Sequence, residues 1–155
     1  MELKAREDIE APVEHVFAEI TDFAALERLV MRRGGDVSLL EGPVPPEIGA
    51  RWEVRFRLCG KNRRVVSELD RLDPGLGLTV GFTSPNINGQ CRVDLVALSP
   101  GRTRLAITIE SRPISIAAKL LAQSLRLGRG RIERRLWTAV ATYAEDVAAR
   151  HRARV

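Results

Sequence analysis

Few side chains in this chain combine a reactive type with a spacing that chemistry can use. His15 and His151 are the only histidines. Neither has a Cys, Asp or Glu at a metal-ligand interval, so both read as surface histidines. Cys59 and Cys91 form no disulfide framework and no metal motif. In a reducing compartment both read as buried thiols that pack as small hydrophobes. Arg126, Arg129, Arg131, Arg134 and Arg135 crowd one segment, which suggests an anionic membrane surface or nucleic acid. Aromatic residues for base stacking are not interleaved with them, and nucleic acid is set aside as a partner. The cluster reads as a solvated face with carboxylate neighbours such as Glu133. The chain has no Gly-rich phosphate loop and no Ser/His/Asp set, so hydrolase chemistry has no support. No catalytic residue, metal or cofactor is expected.

The elements that would carry a site are easier to read. Residues 2–9 form a weak first strand ended by Ala11-Pro12. Pro12 suits the first position of a short helix whose apolar face is Val13, Val16, Phe17 and Ile20. Asp22 can cap a second short helix from Phe23 to about Met31. Gly34-Gly35 breaks it, and a short strand follows from Asp36 to Leu40. Residues 41–49 form a Pro- and Gly-rich loop with no ladder to join.

Then comes the clearest strand, in which Trp52, Val54, Phe56 and Leu58 alternate with Arg51, Glu53, Arg55 and Arg57. A turn at Gly60-Lys61-Asn62 leads to a strand over residues 63–72. Further strands are predicted over 76–83, 90–98 and 103–112, separated by turns at Asp73-Pro74-Gly75, residues 84–89 and Ser99-Pro100-Gly101. Short turns between successive strands imply an antiparallel meander. Arg55, Arg57, Arg92, Asp94, Arg104 and Glu110 fall on the parity opposite to the apolar residues, toward water.

Ser115 is a plausible N-cap for one long helix reaching about Arg150. Its stripe is Ala117, Leu121, Leu125, Gly128, Ile132, Leu136, Ala139, Tyr143 and Val147. Gly128 and Gly130 are places for a bend or break, and Gly128 leaves out volume that a large apolar side chain would fill. The tail from Arg150 to Arg154 is expected to fray.

The 155 residues carry a formal charge of +5, and their only lysines are Lys4, Lys61 and Lys119. The arginines are spread over strands and helix alike, which points to genomic base composition rather than anion recognition. The length suits a single domain, 1–155. No apolar run can span a bilayer, and the charged N-terminus has no signal-peptide core, so the expected compartment is the cytoplasm.

Ile9-Glu10-Ala11-Pro12-Val13-Glu14-His15-Val16-Phe17, followed by Ile20-Thr21-Asp22-Phe23, resembles the N-terminal signature of the START-like or SRPBCC superfamily. Gly49-Ala50-Arg51-Trp52, Glu68-Leu69-Asp70-Arg71-Leu72-Asp73-Pro74, Pro100-Gly101-Arg102-Thr103-Arg104-Leu105 and the closing helix extend the resemblance over essentially the whole chain. That group includes polyketide cyclases, Bet v 1 allergens, lipid-transfer START domains and quinone-binding proteins. The resemblance implies an α+β helix-grip fold. A seven-stranded curved antiparallel sheet wraps around a long C-terminal helix, with two short helices after the first strand.

It also implies a pocket between sheet and helix. The lining residues so implied are Trp52, Val54, Phe56, Leu58, Val80, Phe82, Cys91, Val93, Leu95, Ile107 and Ile109 from the strands. Leu121, Leu125, Gly128 and Ile132 would come from the helix. Many relatives carry a tryptophan or several aromatics in the second short helix, where this chain has Phe23, Ala24, Ala25 and Leu26, so that mouth-side wall is expected to be shallower or shaped for a bulkier ligand.

Three functions compete. The leading one is non-enzymatic binding or transport of a hydrophobic small molecule: a lipid, quinone, polyketide or aromatic metabolite. The second is a polyketide cyclase or aromatase-like enzyme, which needs a polar group in the cavity such as Ser67, Gln90, Ser111, Gln123 or Ser124. The third is a protein-interaction module, or one in transient contact with an anionic membrane surface. The sequence leaves the oligomeric state open.

Overall fold

The computed structural model describes residues 1–58 and 60–155. Strand β1 (Glu2–Ile9) is followed by α1 (Val13–Ile20) and α2 (Phe23–Arg32). Six more strands follow: β2 (Asp36–Glu41), β3 (Arg51–Leu58), β4 (Lys61–Asp73), β5 (Gly77–Thr83), β6 (Ile87–Ser99) and β7 (Arg102–Pro113). Helices α3 (Ile116–Leu127) and α4 (Arg129–Arg154) close the chain. All seven strands belong to one antiparallel sheet in the order β1-β7-β6-β5-β4-β3-β2. The expected helix-grip architecture is therefore present.

Residues opposite one another in a ladder share a face. Trp52 opposes Leu39 and Ser67, and Ser67 opposes Phe82. Val80 opposes Leu69 and Cys91, while Cys91 opposes Ile109. Val93 opposes Leu78 and Ile107. The alternating apolar positions thus merge into one inner face. The charged positions merge outside, where Arg71 donates to Asp73 at 2.9 Å and to Asp94 at 3.0 Å. Arg104 donates to Asp8 at 2.9 Å, and this guanidinium holds the Asp8 carboxyl below its ordinary range.

The core lies at the end of the inner face covered by α1 and α4. Ile9, Val16, Leu69, Leu105 and Val147 are fully buried there. Helix α4 contributes Val140, Ala144, Val147 and Ala148, and it packs along β1.

Several local expectations are corrected. Pro12 stands at the N-cap of α1 rather than in its first turn. Its ψ of 151° is extended, while its carbonyl accepts the first helical bond from Val16. Lys61 and Asn62 are already strand, paired with Leu58 and Arg57. Strand β6 begins at Ile87, because Pro113 of β7 pairs with Ile87 and Thr83 of β5 pairs with Asn88. Gly89 is needed there: a Cβ would run into the Glu110 backbone and the Phe82 ring.

The C-terminal helical stretch breaks at Gly128, one of the two glycines where a bend or break is expected. Ser115 caps α3 by accepting from the Ala118 N–H at 3.0 Å, and the chain breaks at Gly128. Helix α4 has 26 residues, or about 39 Å at the standard helical rise. It does not fray before Arg154, because Arg150 grips Glu19 of α1 through two bonds of 3.0 Å. The break rotates the expected stripe. Ala117 is exposed, Leu121, Leu125 and Ile132 are half-buried, and only Val147 of that stripe is fully covered.

Leu69 is 0% and Leu127 94% exposed. Leu69→Ala is expected to cost about 2–5 kcal/mol, from lost transfer energy and a cavity. Leu127→Ala should stay within about 0.5 kcal/mol. Urea unfolding of the two variants measures the difference.

Candidate functional site

Helix α2 forms one wall of the site. Asp22 starts it by accepting from the Ala25 N–H at 3.1 Å. It packs on β2, and none of its residues is fully buried. Its inward side chains, Phe23, Leu26 and Glu27, stand over the sheet. With Val37, Trp52, Val54, Ser67, Leu78 and Val80 they line an open apolar pocket of about 160 Å³. The Phe23 and Trp52 rings lie 5.4 Å apart at 36°. The Trp52 indole N–H donates to Glu27 Oε1 at 3.0 Å. That bond ties helix to sheet and brings a carboxylate to an otherwise greasy wall.

Of the residues implied by the resemblance, Trp52, Val54 and Val80 line this pocket. Phe56, Phe82, Cys91, Ile107 and Ile109 share the inner face, half-buried, outside it. Val93 and Leu95 are buried in the core, and Leu58 is exposed. Burial pushes the Cys91 thiol up to about 11, so it is protonated and a poor nucleophile at neutral pH. Cys59 lies outside the described residues.

Leu121, Leu125, Gly128 and Ile132 do not reach the pocket. Helix α3 turns away at Gly128 and packs on β7 and α4 instead. A Cβ at Gly128 would meet only the Leu125 carbonyl, at 3.8 Å. Gly128 therefore marks the break between helices, with open space beside it.

Sequence reasoning placed Phe23 and Leu26 in a mouth-side wall but did not single out Glu27, Val37 or Leu78. Phe23 and Leu26 do line the pocket. Their signal was present in the amphipathic spacing of α2, with Glu27 one turn beyond Phe23. The inner face is also less free of charge than its parity suggested. Glu7 opposes Leu105, and Arg63 opposes Phe56.

Among the polar candidates for catalysis, Ser67 lines the pocket. Gln90 pairs with Gly81 and Glu110 on the outer face. Ser111 binds the Met1 carbonyl, and Gln123 and Ser124 are exposed.

His15 is not a surface histidine. Its side chain is 9% exposed, with Nε2 3.2 Å from the Val147 carbonyl and 3.5 Å from Glu19 Oε1. Beside it, the Tyr143 hydroxyl is buried without a partner among the described residues. Burial and the nearby Glu19 charge push that phenol above its ordinary range. Glu133 does not neutralise the arginine cluster; its Oε2 accepts the Lys4 backbone N–H at 3.5 Å. Among the described residues no cluster of His, Cys, Asp and Glu is placed to hold a metal ion. Likewise no described helix is long and apolar enough to cross a membrane.

No protein-family model matches the chain, and no curated protein matches it by sequence. Solved structures do match it. A Thermus thermophilus protein superposes with a TM-score of 0.71 at 17% identity, over 96% of this chain and 98% of its own. A START superfamily protein from Mycobacterium smegmatis gives 0.58 at 12% identity, over 86% and 95%. The fold is START-like. An aromatase/cyclase from a Streptomyces species gives 0.62 at 17% identity, over 94% of this chain and 93% of its own. At such identities the likeness establishes the START-like fold alone.

Glu27→Ala leaves the Trp52 N–H without its acceptor. This should cost about 1–3 kcal/mol and redden Trp52 emission as α2 loosens. Glu27→Gln keeps an acceptor oxygen and should stay near the parent. Fluorescence and thermal melting in a Trp137→Phe background read both effects.

Proposed function

We propose that this protein binds a compact hydrophobic small molecule, or the apolar end of a larger one, in the pocket beneath α2. The observation that carries this reading is a preformed apolar pocket of about 160 Å³ whose lining includes one carboxylate, Glu27, and one hydroxyl, Ser67. Drug-sized ligands occupy roughly 300–1,000 Å³. Dry cavities of about 150 Å³ hold a single benzene ring. The size therefore favours one ring or a short acyl segment over a whole lipid. Affinity would come from burying apolar area, at about 25 cal/mol per Å². Lipids, quinones, polyketides and aromatic metabolites remain the candidate classes.

A second reading, a polyketide cyclase or aromatase-like enzyme, is favoured by one feature. Glu27 and Ser67 are the two polar residues in a lining that is otherwise apolar. The Streptomyces neighbour is an aromatase/cyclase.

Thermal melting against a library of phenols, short-chain alcohols and quinones tests the binding reading. Ligands are expected to raise Tm in the parent. Val80→Trp, which fills the pocket, should abolish the shift while leaving the chain folded by circular dichroism. No shift from any compound, or equal shifts in the filled variant, would count against a site beneath α2. Turnover of an aromatic polyketide mimic that is lost in Glu27→Gln would favour the enzyme.

A further inference from the structure

We propose a second site, separate from the apolar pocket, that binds a phosphate-bearing anion in a cleft of about 410 Å³ between the end of α2 and helix α4. Arg33, just after α2, closes one side. Arg131, Arg134, Arg135, Thr138 and Thr142 close the other. Those five recur at intervals of three, one, three and four along α4, which aligns them on one helical face. Ala139 lies among them and leaves the floor open.

What marks this cleft is that four arginines without a carboxylate partner among the described residues line one concavity. Arg51, Arg64, Arg71, Arg92, Arg102, Arg104 and Arg150 each lie within 4.0 Å of a carboxylate. Among the described residues, Arg33, Arg131, Arg134 and Arg135 have no such partner. Glu133, the nearest acidic residue in sequence, is turned toward Lys4. Four arginines that line one open cleft carry like charge, and their fields add within it. A bound anion offsets that charge.

The charge and geometry favour phosphate over carboxylate. A single carboxylate offsets one guanidinium. A phosphoryl or pyrophosphoryl group carries two or more charges and presents several oxygens to planar N–H forks. The cleft volume also exceeds what one inorganic phosphate fills, so a phosphate ester or diphosphate suits it. That group could belong to a soluble metabolite or to a lipid headgroup. The site does not depend on what the apolar pocket holds.

The test is an NMR titration of arginine Nε–H resonances with inorganic pyrophosphate at about 0.1 M NaCl, where the Debye length is about 10 Å. The expected result is saturable binding that shifts Arg33, Arg131, Arg134 and Arg135. The double variant Arg134→Gln, Arg135→Gln should weaken it about tenfold or more. A charge-matched control on the outer sheet face, Arg6→Gln with Arg112→Gln, should leave it near the parent. Glutamine is a good helix former, and circular dichroism confirms that each variant is folded.

Sedimentation with phosphatidic acid and phosphatidylcholine vesicles separates the sources. Vesicle binding displaced by pyrophosphate assigns the site to a lipid headgroup, and pyrophosphate binding without vesicle binding assigns it to a soluble ester. The proposal is overturned by non-saturable pyrophosphate binding, by equal weakening in the control, or by vesicle binding that pyrophosphate does not compete.

Discussion

A seven-stranded sheet offers more apolar inner surface than one straight helix can cover. A twisted sheet curves away from a rod, so contact is close at one end and lost at the other. Here the close end is the α4 segment carrying Val140, Ala144, Val147 and Ala148, packed along β1. The ion pair between Arg150 and Glu19 and the bond of His15 to the Val147 carbonyl lock α1 onto the same segment. These polar contacts are long-range in sequence and partly shielded, so they fix how α4 sits on the sheet as well as adding to stability.

Away from that end the inner face must find another cover, and α2 supplies it. Its purchase is modest. No residue of α2 is fully buried, and it leans on the edge strand β2 through a few side chains. The Trp52–Glu27 bond is the one polar tie between the helix and β3 within the pocket. A pocket beneath a weakly held helix at a sheet edge combines a rigid floor with a cover that is cheap to displace. That is the usual arrangement for admitting a ligand without unfolding the core.

Fold and site were legible to different depths for a physical reason. The period-two alternation of Trp52, Val54, Phe56 and Leu58 is a local property. It marks both the strand and the face, and the ladder only confirms which faces join. Caps were equally local: Asp22 and Ser115 each accept from the third residue onward. The start of β6 at Ile87 was not local, since Asn88 and Gly89 are in a strand only because β5 and β7 run alongside. The pocket wall depended on where two distant helices point. A stripe through Gly128 predicts one buried face only if the helix continues. Once the chain breaks there, α3 follows β7, and the wall passes to α2. Glu27 shows the same limit, because a glutamate on a short amphipathic helix looks solvated until the indole it meets is 25 residues away in sequence and 3.0 Å away in space.

Charge follows a similar logic. On the outer sheet face, strand parity sets arginines beside aspartates and glutamates on neighbouring strands. Arg71, Arg92 and Asp94 form one such set, and Arg102, Arg104 and Asp8 another. Sheet geometry makes those pairs almost automatically, because cross-strand neighbours stand about 5 Å apart. Helix α4 packs along β1, but Glu133 is turned to the Lys4 N–H of that strand, and Arg131, Arg134 and Arg135 have no carboxylate within 4.0 Å among the described residues. Its arginines therefore keep their field, and Arg33 at the end of α2 adds to it across the gap. Helix α2 thus borders two unlike spaces. One is apolar and contains a single carboxylate, and the other is open and strongly cationic. Any displacement of α2 changes the walls of both at once, because Glu27 and Arg33 lie at either end of the same two turns.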